Sequence, residues 1–495
     1  MSYFSLFIYF LVMLGIGVFA YFRSTSNQSE YLLGGRCVSP QVTALSAGAS
    51  DMSGWMLMGL PGAMFVMGFE SSLIALGLLV GAFCNFVLVA PRLRVFTEQT
   101  KDSLTIPTFF SNRLGSEGAF VRILSAVVIV IFFTLYTASG LVAGGKLFET
   151  AFGASFVSGV VITMLVVVGY TLLGGFLAVS LTDFVQGCIM FVALVLVPVV
   201  AFGEFQSGQT MITAAYQSIP SFSSALTDIT AVAMLSSFAW GLGYFGQPHI
   251  VVRFMAIRSV KDIKTARRIG MSWMAVTIIG ALGTGLIGVA YVNHYGLQLS
   301  DPETIFVVFA DILFHPVISG FLMAAILAAI MSTISSQLLV SASSLVEDIY
   351  GLVDSHQTGN RVVLLSRLGV CTVALCAMAI ALSNNTSVLQ LVSSAWAGFG
   401  AAFGPLLLAC LYYKNLTERG AVSGIITGAL VVLFWRYAPV LSNGQTLSST
   451  MYEIIPGFVM SGLTIVLVSA FERKPNSEAV DSFEKSHIQF LKQTS

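Results

Sequence analysis

Runs of about 20 apolar residues, separated by short polar segments, extend along almost the whole sequence. A helix of that length can cross the hydrocarbon core of a bilayer, because all its backbone groups are hydrogen-bonded internally. Only 9% of the residues carry a full charge, against about 25% in a typical soluble domain. The sequence therefore predicts an all-α polytopic membrane protein. It excludes a soluble enzyme, a nucleic-acid-binding protein and a disordered scaffold.

Thirteen of these runs are long enough to cross a bilayer. They cover residues 3–22, 41–68, 71–91, 121–148, 154–175, 183–203, 229–254, 270–292, 311–345, 362–383, 388–412, 420–437 and 452–471. The ninth run is too long for one perpendicular crossing at about 1.5 Å per residue. We expect that helix to be tilted or to protrude into water.

The distribution of Lys and Arg predicts the orientation in the membrane. If the segment after the first span is inside, 21 of the 23 basic residues are inside, and Lys146 and Arg436 are the two outside. Positive charge is retained in the cytoplasm during insertion, so we predict the N-terminus outside and the C-terminus inside. Residues 1–471 then form one transmembrane domain, and the polar tail 472–495 is expected to be a loosely ordered cytoplasmic end.

The six cysteines are dispersed and form neither a CxxC pair nor a Cys/His cluster. Zinc or redox chemistry therefore has no support in the sequence. We expect small buried thiols and no cofactor.

Asp51 is the acidic residue that the span assignment places well inside a span. The surrounding segment, residues 43–54, contains two glycines and three serines, which weaken a helix or offer its backbone competing hydrogen bonds. We predict a helix broken near the middle of the membrane beside Asp51. Carbonyls and hydroxyls freed there suit a hard cation such as sodium, and the second half-helix presents its N-terminus to an anionic group. A helix-capping role for Asp51 is compatible with this interpretation.

The seventh span contains a second irregular segment, residues 238–248, with three glycines and a proline. This composition predicts a break or kink. Trp240 and Tyr244 are four residues apart and would share one face if the helix persists. We expect them to line a binding site, although ordinary aromatic packing is the alternative.

The two predicted breaks are five spans apart. Two five-helix units that each open with an interrupted helix suit an inverted repeat with the site at their interface. The predicted units are residues 41–203 and 229–412, with residues 3–22 and 420–471 as accessory helices.

A third polar patch lies in the ninth span, at residues 328–337. The hydroxyls of Ser332 and Thr333 and the carbonyl of Ala329, one turn earlier, supply three oxygens, or half a sodium site. The second span could supply further carbonyls. The alternative is that both hydroxyls bond only to their own helix.

Four segments, residues 43–55, 240–249, 329–333 and 395–405, resemble signatures of the sodium/solute symporter family, in its proline-transporting branch. The resemblance runs from about Tyr21 to Phe471. It implies the inverted-repeat fold of the leucine transporter in the bacterial inner (plasma) membrane. It also implies secondary active symport, in which sodium influx drives L-proline uptake by alternating access, with sodium as the coupling ion and no obligate protein partner.

The resemblance also implies the site residues by matching position. Sodium would be bound by the carbonyls of Ala49, Met52 and Ala329 and the hydroxyls of Ser332 and Thr333, with Asp51 in or near the coordination shell. Proline would contact Ser53, Gly54, Trp55, Tyr136, Trp240, Tyr244 and Pro248. The half-helix N-terminus and Ser53 can bind the carboxylate, and the faces of Trp240 and Tyr244 can bind the ammonium and cover the ring. The loop at residues 293–311 is shorter than the resemblance implies.

Other functions remain open at this point. The same mechanism could serve another small amino acid or pantothenate, and a solute sensor could use the same fold, although such sensors append signalling domains. An intramembrane serine protease needs a GxSG-like nucleophile, and Ser53 lacks the preceding glycine. An aspartyl protease needs GxGD, and Tyr244 stands where the aspartate would be. No channel selectivity filter is evident. We therefore do not expect an enzyme.

Overall fold

The computed structural model describes residues 2–23, 28–115, 118–218, 229–351, 359–383, 387–440, 444–472 and 476–494, and this part of the chain is almost entirely helical. The helices are α1 Ser2–Arg23, α2 Gln28–Leu33, α3 Pro40–Asp51, α4 Trp55–Met67, α5 Glu70–Gln99, α6 Ile106–Leu114, α7 Ala119–Phe152, α8 Phe156–Leu173, α9 Gly175–Gly203, α10 Gly208–Ser218, α11 Ala231–Gly246, α12 Pro248–Ala256, α13 Val260–Tyr295, α14 Ile305–Ile312, α15 Pro316–Tyr350, α16 Gly359–Ser383, α17 Val388–Tyr412, α18 Glu418–Tyr437, α19 Ile454–Phe471 and α20 Ser477–Thr494.

Eleven helices of the described chain are long and apolar enough to cross a membrane. Each coincides with a predicted span. The two predicted spans that lack a continuous helix of this kind are residues 41–68 and 229–254, the two for which breaks are expected. The prediction of a polytopic all-α membrane protein is therefore confirmed. The count of thirteen and the orientation stay predictions.

The first break lies between α3 and α4. Ser39 caps α3 by accepting a hydrogen bond from the Val42 amide at 3.4 Å, and the helix ends at Asp51. Met52 then leaves the helical region, with φ −80° and ψ 71°. A side chain at Gly54 would place its Cβ 2.9 Å from the Cβ of Ala143. The break therefore packs directly against α7, as a glycine permits.

The second break lies between α11 and α12. After one α-helical segment, α11 winds as a 3₁₀-helix over Ala239–Gly246, Gln247 is extended, and Pro248 begins α12. A 3₁₀-helix has about three residues per turn, so residues four apart do not share a face. The shared face expected for Trp240 and Tyr244 depended on a persistent α-helix, and that condition is not met here.

The first break and helix α12 lie beside α15, and the 3₁₀ segment of α11 lies against α17. All residues of α15 from Leu322 to Leu339 are buried, and this helix packs on α1, α3, α7, α8, α9 and α16. Helix α5 packs on the tight turn of α11, where a side chain at Gly81 would meet the Gly241 carbonyl oxygen at 2.2 Å. Close helix packing through small residues of this kind is common in membrane bundles. These contacts place the second break between α5 and α17 and the first break against α15.

The C-terminal tail is not loosely ordered, contrary to our expectation. Ala479, Phe483 and Ser486 recur at helical spacing and form the buried face of α20. The Arg113 guanidinium lies 4.7 Å from the Phe483 ring and donates to the Ala479 carbonyl at 2.8 Å. Burial lowers the pKa of this arginine. Arg473 and Lys474, counted among the inside charges, lie outside the described residues.

Phe483→Ala is expected to release α20 from the bundle. Removing a buried phenylalanine costs about 3 kcal/mol at the lower end of the usual range, which is roughly a 150-fold change in an equilibrium. Hydrogen exchange of the α20 amides should therefore accelerate by about two orders of magnitude. Lys485→Ala, on the exposed face of the same helix, is the control. Unchanged protection in Phe483→Ala would show that Phe483 does not hold the tail.

All six cysteines are free. Cys410 is buried, but Cys37, Cys188 and Cys376 are exposed, so the expectation of buried thiols is wrong for these three. Cys188 and Cys376 lie on membrane helices, where an apolar residue that faces lipid needs no protein neighbour, and sequence alone does not tell which face is outward. Cys37 lies in the connection between α2 and α3. Within the described residues, no group of three His, Cys, Asp or Glu side chains could hold a metal ion.

Candidate functional site

A cluster of oxygen atoms joins the end of α3 to the middle of α15. Ser332 Oγ lies 2.7 Å from the Ala49 carbonyl oxygen and 3.0 Å from that of Ala329. Thr333 Oγ1 lies 3.3 Å from the same Ala329 oxygen. All four residues are buried. The structure thus brings together two carbonyls and two hydroxyls in a place shielded from water, the donor set that a hard cation prefers.

Met52 and Asp51 adjoin this oxygen cluster along the chain. Met52 is buried, and its backbone has left the helical conformation, so its carbonyl does not follow the hydrogen-bond ladder of α3. The Asp51 carboxylate accepts a hydrogen bond from the Tyr244 hydroxyl of α11. Among the described residues its second oxygen has no partner. The first break is therefore tied to the second by one carboxylate.

The residues predicted to contact proline are not all at one place. Tyr136 packs edge-on against His249 at 6.0 Å, and Tyr244 packs edge-on against Trp396 at 5.1 Å. Ser53 and Gly54 form the break itself, and the Trp55 indole donates to the Asp51 carbonyl at 3.1 Å. Trp240 lies four residues before Tyr244 on α11 and is stacked on Tyr452 at 5.2 Å. Pro248 is buried and lines a separate small cavity with Phe176 and Val252.

Several buried polar atoms around the breaks have no hydrogen-bond partner among the described residues. They are Asp51 Oδ1, the Tyr136 hydroxyl, Gln247 Oε1 and both ring nitrogens of His249. More than about 90% of buried polar groups in proteins are paired, because an orphaned group costs about 1–3 kcal/mol. A small polar ligand would satisfy such a set.

Gln247 and His249 are candidate residues that the sequence interpretation missed. They flank Pro248 in the segment that resembles the family signature. The available signal was two polar residues, one on each side of Pro248, at a predicted helix break. Polar residues at an interrupted membrane helix commonly line a cavity, so both could have been predicted to line the site.

A second intramembrane acid was also missed. Asp183 is buried and pairs with Arg253 at 3.1 Å, while Ser46 donates to the same carboxylate at 2.8 Å. The predicted span 183–203 begins at Asp183, and the charge count places Arg253 on the cytoplasmic side. Helix α9 in fact begins at Gly175, so Asp183 lies eight residues inside it. Asp348 is likewise buried and pairs with Arg122 at 3.0 Å.

Asp183→Asn is expected to destabilise the protein strongly. It leaves the Arg253 charge buried without a counter-charge, which costs about 3–5 kcal/mol. Thermal unfolding in detergent should show a clear loss. Because the double variant Asp183→Asn/Arg253→Gln removes both charges, it should recover part of that loss. Asp262→Asn, which breaks the exposed pair with Arg258, should cost under about 1 kcal/mol. Equal effects of Asp183→Asn and Asp262→Asn would contradict this account of the buried pair.

A charge cluster also lies at the end of the bundle that the charge pattern predicts to be external. Lys146 of α7 lies 2.8 Å from both Asp301 and Glu303. Glu303 also accepts hydrogen bonds from the Val388 and Leu389 amides at the start of α17, at 3.1 and 3.2 Å. The segment before α14, predicted only as a short loop, therefore fastens α7 to α17 above α4.

Comparison with known proteins supports the resemblance inferred from the sequence. The model of the sodium:solute symporter family matches residues 31–428. The osmoregulated proline transporter of Bacillus subtilis is 52% identical over 476 residues, which is 95% of either chain. The sodium/proline symporter of Staphylococcus aureus is 49% identical, covering 96% of this chain and 94% of the relative.

Solved structures agree on the fold. A Na⁺-coupled sialic acid symporter in a substrate-bound outward-open state superposes with a TM-score of 0.81 at 20% identity, covering 96% of this chain and 99% of that one. A nucleobase-cation-symport-1 family transporter gives 0.53 at 14% identity, covering 93% and 99%. These likenesses confirm the leucine-transporter-like fold. With the family model spanning most of the chain and relatives at about half identity, this multi-pass membrane protein belongs to the sodium:solute symporter family.

Proposed function

We propose that the protein is a secondary active symporter that couples sodium influx to the uptake of L-proline. The observation that carries this proposal is the oxygen cluster of Ala49, Ala329, Ser332 and Thr333, next to a carboxylate shared between the two helix breaks. The relatives named as proline transporters support the choice of solute.

Sodium would lie between α3 and α15. In the structure the two hydroxyls donate to the two carbonyls, and a bound ion would replace those hydrogen bonds with its own coordination. The carbonyl of Met52 would complete the shell from the first break. Asp51 would supply the nearby negative charge, since its free oxygen is buried without a partner.

Proline would lie beside Asp51, between the two breaks. The start of α4 and Ser53 would bind the carboxylate, because helix N-terminal amides favour a negative group. The Tyr136 hydroxyl, Gln247 and His249 offer unpaired polar atoms at the same level. The rings of Tyr244 and Trp240 would cover the pyrrolidine ring and attract the ammonium. Gly54, Trp55 and Pro248 would shape the walls.

The hydrogen bond between Tyr244 and Asp51 couples the two predicted sites. It links a residue assigned to proline with one assigned to sodium. Binding of either ligand changes the surroundings of this bond, so each must alter the affinity for the other by the same factor. We infer that the inverted repeats, residues 41–203 and 229–412, move against each other around it to give alternating access.

Uptake into proteoliposomes tests the proposal. A membrane potential of about 100 mV contributes roughly 2.3 kcal/mol per charge, and a tenfold sodium gradient adds about 1.4 kcal/mol. One sodium ion per zwitterionic proline could therefore sustain on the order of 500-fold accumulation. Uptake that is unchanged when potassium replaces sodium would overturn the proposal.

The same vesicles distinguish the other candidate solutes. Labelled proline should be displaced by excess unlabelled proline more effectively than by other small amino acids or pantothenate. The polar atoms at the breaks include no unpaired basic side chain among the described residues, since Arg253 is paired with Asp183. Pantothenate, which carries a net negative charge and no ammonium group, is therefore poorly matched. We place the protein in the bacterial plasma membrane, with its C-terminal helix in the cytoplasm.

A further inference from the structure

A cavity of about 440 Å³ lies at the end of the bundle that the charge pattern predicts to be cytoplasmic. Three separate parts of the chain surround it, namely the end of α5, the turn between α12 and α13, and the last residues of α20. Half of its lining residues are basic, and these are Arg94, Arg258, Lys261 and Lys492. The cavity is therefore a positively charged recess, assembled from distant parts of the sequence.

The acidic side chains beside this recess are already engaged. Glu98, which lines it, is paired with Arg94 at 2.7 Å, and Asp262, next to Lys261 in the sequence, is paired with Arg258. The ammonium group of Lys261 is exposed and has no ion pair or hydrogen bond to any other described residue. The recess therefore keeps positive charge that the described part of the chain does not neutralise.

The positive charge continues from Lys261 along one face of α13. Lys264 and Arg268 follow at helical spacing, and both are exposed. Further along the same face come Val276 and Ile279, which are apolar and also exposed. Exposed apolar residues on a membrane-spanning helix face the lipid. This face of α13 therefore changes from basic, beside the recess, to apolar, inside the membrane.

The spacing of these residues along α13 matches one leaflet of a bilayer. Arg268 and Ile279 are 11 residues apart, which is about 16 Å at about 1.5 Å per residue. The hydrocarbon core of a bilayer is about 30 Å thick, so one leaflet contributes about 15 Å. A phospholipid with its phosphate beside Arg268 therefore has its acyl chains along Val276 and Ile279.

We propose that the recess and this face of α13 form a binding site for an anionic phospholipid of the cytoplasmic leaflet. Lys261, Lys264 and Arg268 bind the phosphate, because ammonium and guanidinium groups make strong charge-assisted hydrogen bonds to phosphate oxygens. Basic clusters at the cytoplasmic ends of membrane helices favour anionic lipids for this reason. The rest of the headgroup extends into the recess toward Lys492. Since Lys492 belongs to α20, the bound lipid also connects the C-terminal helix to α13.

Native mass spectrometry of the purified full-length protein in detergent tests this site. The probes are phosphatidylglycerol and phosphatidylcholine with the same acyl chains, and the first phosphatidylglycerol should bind at least tenfold more tightly. A basic residue near an anionic headgroup contributes about fivefold. The triple variant Lys261→Gln/Lys264→Gln/Arg268→Gln should therefore weaken phosphatidylglycerol binding by on the order of 100-fold. All three side chains are exposed, so the fold should tolerate their replacement.

A second triple variant controls for the loss of net charge. Arg361→Gln/Arg419→Gln/Lys485→Gln removes the same number of exposed basic residues from the predicted cytoplasmic side, outside the recess and off α13. It should keep the wild-type preference for phosphatidylglycerol. Equal binding of the two lipids by the wild type, or equal losses in the two triple variants, overturns the site.

Two further measurements separate a lipid from a soluble phosphate. Ile279→Ser keeps every charge but removes an apolar contact with the acyl chains, so it should weaken phosphatidylglycerol binding several-fold. Inorganic phosphate, which has no acyl chains, should not displace the lipid when both are at the same concentration. Displacement by inorganic phosphate, together with unchanged lipid binding in Ile279→Ser, would assign the recess to a soluble phosphate and overturn the lipid site.

Discussion

Ser332→Ala is expected to raise the sodium concentration that half-saturates proline uptake by roughly 10- to 100-fold. The hydroxyl lies within hydrogen-bonding distance of two carbonyls that we assign to the ion. An interaction of a polar group with a charged partner contributes about 1.5–3 kcal/mol, and about 1.4 kcal/mol corresponds to tenfold in affinity. Thr333→Ala should act in the same direction with a smaller effect, because Thr333 Oγ1 is 3.3 Å from the Ala329 oxygen.

The control for these variants is Ser341→Ala. It removes the same group from the same helix, and the Ser341 hydroxyl is buried without a partner among the described residues. Sodium dependence should be unchanged there. Uptake kinetics over a range of sodium concentrations, with choline as the replacement cation, give the comparison. If Ser332→Ala and Thr333→Ala keep the wild-type sodium dependence, the ion lies elsewhere.

How far the sequence predicts this site depends on the sequence separation of its parts. The oxygens of α15 are one helical turn apart, and the break at residues 52–54 follows from local glycine and serine content, so both were predictable. Pairing between distant helices was not. Asp183 and Arg253 meet only because the Arg253 side chain of α12 reaches α9 in the folded bundle, and neither residue has a local signal.

The positions of the aromatic residues also depend on structure that the sequence does not predict locally. The glycines predicted a break in α11, but they did not predict that its winding would tighten to a 3₁₀-helix and turn Trp240 and Tyr244 in different directions. Tyr452, the stacking partner of Trp240, comes from a connection between helices that the repeat pattern treats as accessory. The sequence did not predict that α20 forms an ordered helix packed on the bundle. Its apolar stripe is short, and its partners lie far away in the sequence, on α5 and α6.

Trp240 and Tyr244 are therefore expected to affect transport in different ways. Trp240→Ala removes a ring that we assign to the solute, and loss of a desolvated cation–π contact of about 2 kcal/mol corresponds to roughly a 30-fold rise in the KM for proline. Sodium dependence should move only by the reciprocal linkage. Phe238→Ala removes an exposed aromatic from the same helix and should leave the KM unchanged.

Tyr244→Phe should instead impair both ligands. The ring remains, but the hydroxyl that donates to Asp51 is lost, and the carboxylate is left buried with no donor. Loss of a hydrogen bond to a charged group costs about 1.5–3 kcal/mol, so both half-saturation constants should rise at least tenfold. Calorimetric titration of proline at saturating and zero sodium, with purified protein in detergent, measures the two effects separately.

The double variant Asp51→Asn/Tyr244→Phe decides whether the bond itself matters. Asp51→Asn alone should weaken sodium dependence strongly, since it keeps the size of the side chain and removes the charge. If the two residues act through one hydrogen bond, the double variant should be little worse than the more severe single one, because contacting residues are not additive. Full additivity, or wild-type proline binding in both Trp240→Ala and Tyr244→Phe, would mean that these aromatics only pack. The coupling of ion and solute would then have to run through another contact between α3 and α11.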